Sequence, residues 1–190
     1  MTTVRGVVLF PGAGSSADHA SLVALEEALA PLPVLRVDFP YRKAGKSFPD
    51  KAPVLVECVK SEVRAFADSL GAPTTSLVIG GRSMGGRMCS MANADTHDPL
   101  HVAGLVLMSY PLHPPKKPEN LRTEHLPRIT APVLAISGTK DDFGTPEELH
   151  HHFEVVPTKV TWTFLENARH ELQRKDAEIG TIVNDWVRTL

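Results

Sequence analysis

The sequence predicts an α/β fold, a doubly wound and mainly parallel sheet of about six strands flanked by helices. Two observations carry this. Six short runs rich in Val, Leu and Ile recur along the chain, as buried parallel strands do, and between them lie longer segments with apolar residues at helical spacing. Repeated strand-then-helix order implies a sheet in which ligands bind beyond the carboxyl ends of the strands.

The elements follow in order. Val4 to Phe10 is the first strand, and Asp18 to Leu29 an amphipathic helix. After a second strand, Val34 to Phe39, the stretch Lys51 to Leu70 repeats apolar positions at Leu55, Val59, Phe66 and Leu70, with Asp50 ahead of Pro53 as its start signal. The third strand is Ser76 to Ile79, followed by a helix over Met84 to Asn93. Val102 to Met108 and Val133 to Ser137 are the fourth and fifth. Thr145 and Glu148, with Pro146 between them, form a capping box that opens the next helix. Val160 to Leu165 is the sixth strand, and Ile179, Ile182, Val183, Trp186, Val187 and Leu190 mark a closing helix. Only Ser109 to Ala131 escapes the alternation, because its prolines exclude a long helix or a central strand. Two readings of it stand side by side: a long connection with a short helix near Leu121 to Leu126, or a cap that shapes a pocket.

At 190 residues the chain is expected to be one domain, residues 1–190, with one site. Its 20 basic and 22 acidic residues are intermixed, so neither a nucleic-acid surface nor a membrane-binding tail is indicated, and a small-molecule substrate is expected. Cys58 and Cys89 fall inside predicted helices, and MTTVRGVVLFPG is broken too early by Pro11 and Gly12 to read as a signal peptide. A cytoplasmic location is the expectation.

Chemistry concentrates in "VIGGRSMGGRM", residues 78–88, where Gly81, Ser83 and Gly85 form GxSxG. Roughly one chain of this length in twenty would hold that pattern by chance, so its placement decides. It follows a strand and opens a helix, the context in which a sharp turn lifts a serine hydroxyl above a sheet and leaves room only for small neighbours. A phosphate loop fails on the same residues, since Arg87 and Met88 stand where lysine and a hydroxyl are required; "AGKS" at 44–47 fails because Pro40 replaces the first glycine. A nucleophilic serine needs a base and an orienting acid, in the chain order Ser, Asp, His, each past a strand. Asp141 and Asp142 follow the fifth strand and His170 the sixth. Asp141 is preferred as the acid, with Asp142 as a turn cap. The backbone amides of Ala13, after the first strand, and Met84, at a helix N-terminus, are the expected oxyanion donors. Tyr41, Arg42, Tyr110 and His113 lie on loops after strands and are expected to line the pocket.

Other features carry less. His150, His151 and His152 point about 100° apart on a helix and cannot converge on one metal, and "HELQR" from His170 lacks the second histidine of a zinc motif. No cofactor and no metal is expected. Arg82 and Arg87 flank the serine and read as partners in salt bridges, or as contacts for an anionic substrate.

With these residues placed, the chain resembles the small dienelactone-hydrolase-related branch of the α/β-hydrolases that includes the testis-expressed and chromatin-complex hydrolase-like proteins. The matching stretches are "PGAGSSADH", "RVDFPYRKAGKSFPDKAPVL", "GGRSMGGRMCS", "SYPLHPPKKPENLR", "EHLPRITAPVLAISGTKDDFG" and the His170 region. Pro11 departs from the histidine common there. The resemblance implies six parallel strands and a Ser-His-Asp hydrolase. The expected activity is hydrolysis of a small ester or thioester; the alternative is a non-catalytic interaction module with a protein partner.

Overall fold

In the computed structural model, which describes residues 3–190, six parallel strands form one sheet in the order β2-β1-β3-β4-β5-β6. The strands are β1 (Gly6–Phe10), β2 (Val34–Arg36), β3 (Leu77–Arg82), β4 (Gly104–Met108), β5 (Val133–Gly138) and β6 (Val160–Leu165). Five helices lie between them, α1 (Ala20–Leu29), α2 (Pro40–Lys43), α3 (Ala52–Ser69), α4 (Met84–Asn93) and α5 (Pro146–Phe153), and α6 (Asp176–Val187) follows the last strand.

Strand side chains alternate between two apolar layers. Val8, Phe10, Ile79, Leu105, Leu107 and Ala135 face α3, α4 and α5, meeting Val59, Met88 and Leu149. Val7, Leu9, Val78, Val106, Leu134 and Ile136 face α1 and α6, meeting Leu25, Ile179 and Val183. The central strands are buried on both faces, which is why they read as unbroken apolar runs. Edge strand β6 is half-buried, and its Trp162 and Phe164 rings stack at 5.2 Å with His150 tilted against both. Among the described residues, no helix is long and apolar enough to cross a membrane.

Several element ends differ from the sequence expectation for identifiable reasons. The first helix starts at Ala20, not Asp18: the Asp18 carboxylate pairs with Arg36 at 2.8 Å, and the His19 ring accepts the Ser21 amide in its place. Asp50 is not the start of α3, whose N-cap is Lys51 with no side-chain cap. The capping box of Thr145 and Glu148 is present in full. Strand β3 continues three residues past Ile79, because Gly80, Gly81 and Arg82 pair with Val106, Leu107 and Met108. Within Ser109 to Ala131 no helix forms near Leu121; a single 3-10 turn lies at Leu126–Arg128. The backbone of Arg122 is instead drawn into pairing, its amide donating to the Leu112 carbonyl and its carbonyl accepting the Tyr110 hydroxyl. Tyr110, Leu112, Leu126 and Ile129 sink into the core, and Asn93 of α4 holds the far end through the amide and hydroxyl of Thr130.

Buried His125 shares a 2.8 Å hydrogen bond with the Ser90 hydroxyl. Burial first, and then the charges of Arg87 and Arg128, push its pKa down to about 4 from the ordinary 6.5. The folded chain therefore keeps this imidazole neutral where the unfolded chain protonates it, so its contribution is whole above pH 6.5 and is lost as pH falls toward 4. A loss of about 1–3 kcal/mol across that window is expected. Urea unfolding at a series of pH values should give a flatter stability curve for His125→Gln than for the parent, and coincident curves would exclude His125 as the source.

Candidate active site

Strand β3 ends at Arg82, and the next residue, Ser83, takes φ 49° and ψ −116° before α4 begins. A non-glycine backbone held there costs about 1–3 kcal/mol and lasts only where its surroundings impose it. They do so through close backbone contact: a Cβ added at Gly81 or Gly85 would be driven into the Phe10 carbonyl of β1. The strained turn also takes its own hydrogen bond, the Ser83 amide donating to the Met108 carbonyl at 2.8 Å.

The loops after β5 and β6 bring side chains toward the Ser83 hydroxyl. His170 Nε2 lies 2.9 Å from Ser83 Oγ, and His170 Nδ1 lies 2.9 Å from both carboxylate oxygens of Asp141. A carboxylate can only accept, so Nδ1 carries the hydrogen and Nε2 presents its lone pair to the serine hydroxyl. The Asp141 side chain is fully buried and also accepts the Phe143 amide at 2.9 Å and the Ser137 hydroxyl at 3.4 Å. Asp142 is exposed, near Arg169 at 3.9 Å. Of the two aspartates, only Asp141 meets the histidine.

Around this line lies a cleft of about 520 Å³, walled in part by Gly12, Ala13, Ser83, Met84, Phe143 and His170. Ala13 and Met84 both line it beside the serine. The Ala13 carbonyl is held from behind by the Tyr41 hydroxyl at 2.7 Å. The Phe143 ring stacks on His170 with centroids 3.9 Å apart. The His170 carbonyl accepts the Ser109 hydroxyl at 2.8 Å and an Arg82 N–H at 3.4 Å. Arg82 pairs with Glu171 at 2.6 Å and shares a 2.9 Å bond with His19. That partnership holds the Glu171 carboxyl below its ordinary pKa, while burial and then Arg82 lower that of His19.

The four residues expected to line the pocket lie elsewhere. Tyr41 and Tyr110 are buried with their hydroxyls tied to the carbonyls of Ala13 and Arg122, and so act behind the wall. Arg42 sits on α2, outside the cleft. His113 borders a separate hollow behind Asp141, with Lys140 and Glu148. In their place the wall takes His19, Arg122, Phe143 and Glu171, none of which the motifs singled out. An aromatic two residues past the acid, in "DDFG", was the one available signal. Among the described residues, no three His, Cys, Asp or Glu side chains converge as metal ligands.

Six parallel strands, with a serine on the turn after the third and an acid and a histidine after the last two, define the α/β-hydrolase class. The chain belongs to the alpha/beta hydrolase domain family, whose model matches residues 4–188. Its fold is similar to that of an alpha-beta serine hydrolase homologue from Coxiella burnetii, at 15% identity over 97% of this chain and 86% of that one, with a TM-score of 0.76. Est1E from Butyrivibrio proteoclasticus superposes with a TM-score of 0.77 at 14% identity, covering 100% and 89% of the two chains. A dienelactone hydrolase from Anabaena variabilis gives 0.74 at 19% identity over 98% and 87%. At these identities the likeness is one of fold.

The packing behind the turn gives a direct test. Gly85→Ala would set a methyl against the Phe10 and Pro11 carbonyls, and main-chain atoms there cannot step aside. It should destabilise the protein by about 1–3 kcal/mol or more, whereas Gly14→Ala, with nothing within 4 Å, should stay within about 0.5 kcal/mol. Urea unfolding of both variants decides, and equal effects would show that the turn is not sterically set.

Proposed function

We propose that the protein is a serine hydrolase that cleaves a small ester or thioester through an acyl-enzyme. The observation that supports this best is the unbroken line from Ser83 Oγ through His170 to buried Asp141, each link 2.9 Å. His170 takes the hydroxyl proton as Ser83 attacks the carbonyl carbon, and Asp141 stabilises the resulting imidazolium. The amides of Ala13 and Met84 stabilise the oxyanion of the tetrahedral intermediate. Its collapse expels the alcohol or thiol, which takes the proton back from His170, and water attacks the acyl group by the same route in reverse. Within the family, the quoted sequence stretches favour the testis-expressed and chromatin-complex branch, and the modest cleft favours a short acyl group.

A fluorophosphonate probe should label the wild type and leave Ser83→Ala unlabelled; absent labelling, or equal labelling of both, refutes the reading. Asp141→Asn should lower kcat for p-nitrophenyl acetate by about 10⁴-fold, since the histidine loses the partner that fixes its tautomer. Asp142→Asn should change it less than about 3-fold, in line with an exposed surface charge. The reverse order would move the acid to Asp142.

A further inference from the structure

The wall around Ser83 carries three arginines, and among the described residues only one of them is neutralised. Arg82 has Glu171 at 2.6 Å. Arg87 and Arg122 form no ion pair with any carboxylate among the described residues, although both border the cleft. Arg87 sits one helical turn past Ser83, its amide donating to the Ser83 carbonyl at 3.1 Å; its side-chain Nε, like that of ion-paired Arg82, is buried without a hydrogen-bond partner among the described residues. Arg122 is fixed by its backbone, and its guanidinium makes one long contact, 3.3 Å, to the Pro111 carbonyl. Both line the same cleft wall, and after burial the charge of Arg87 is the next cause holding the Arg122 pKa below its ordinary value.

That arrangement is unfavourable by itself. A buried N–H without an acceptor carries a desolvation cost, and two partly buried cations repel. One oxyanion between them would offset that repulsion, and the planar fork of a guanidinium fits carboxylate and phosphate oxygens. We propose that Arg87 and Arg122 form an anion subsite of the Ser83 cleft, so that the preferred substrate is an ester or thioester bearing a carboxylate or phosphate group beyond its scissile carbonyl. The substrate half of this rests on the hydrolase reading; the anion site does not.

Two measurements separate them. The first compares kcat/KM for the p-nitrophenyl monoester of glutaric acid with that for its isosteric neutral ester, in which an isopropyl group replaces the terminal carboxylate. The wild type should favour the charged ester by about 10-fold or more. Arg87→Gln and Arg122→Gln should each bring the ratio toward one, and a ratio taken within one variant cancels any loss of overall activity or folding. The second follows melting temperature with glutarate or inorganic phosphate added. Each should stabilise the wild type and Ser83→Ala but not Arg122→Gln, and the larger shift identifies the preferred anion. Fluorophosphonate labelling with a ratio near one, or a ratio that survives both arginine substitutions, overturns the substrate assignment and leaves the hydrolase. No melting shift with either anion overturns the subsite. Absent labelling removes the hydrolase reading, and the subsite then stands or falls on the melting shift alone.

Discussion

The contact on which the rest depends is made without side chains. The Phe10 carbonyl at the end of β1 lies against Gly81 and Gly85, one before and one after the turn at Ser83. That proximity lets β3 run close beside β1 and bend sharply into α4, and it sets Ser83 in a backbone conformation it would not choose. Because the turn after β1 begins at the residue following Phe10, the same contact fixes Ala13 and Met84 relative to the serine. Position, strain and proposed donors are three results of one close approach.

Charge is arranged as unevenly as packing is tight. On the histidine side every ionised group has a partner: Asp141 holds His170, and Arg82 holds Glu171. The remainder of the cleft keeps Arg87 and Arg122 without a counter-charge among the described residues. A low-dielectric wall strengthens both the satisfied pairs and the unsatisfied one. The first are consistent with positioning chemistry, the second with attracting a ligand.

What the sequence disclosed followed the range of the interactions involved. The strands were legible because burial on both faces imposes an apolar run, and the box of Thr145 and Glu148 because it is made within one turn. Ser83, Asp141 and His170 were legible because strand ends and chain order restrict where such residues can stand. The end of β3 was hidden, since glycines carry no hydrophobic signal, and the start of α1 was hidden because Arg36, 18 residues away, takes Asp18. The cleft wall was the least legible part. Tyr41 and Tyr110 follow strands as pocket residues would, yet long-range bonds to carbonyls turn them inward, while His19, Arg122, Phe143 and Glu171 arrive from separate loops.

Ser109, at φ 51° just beyond β4, donates its hydroxyl to the His170 carbonyl. Neighbouring strands lie about 4.8 Å apart, so a loop leaving β6 must reach back across roughly 14 Å to meet a serine above β3, and Ser109 is the stepping stone beneath that span. The histidine is thus cantilevered from an edge strand that, among the described residues, has a neighbour on one side only. Local opening of that edge, which needs far less free energy than unfolding the whole chain, would withdraw the imidazole while β1, β3 and the turn stay intact. Reactivity at Ser83 would then be governed by the docking equilibrium of the sheet's last strand, and the molecule could fall silent long before it comes apart.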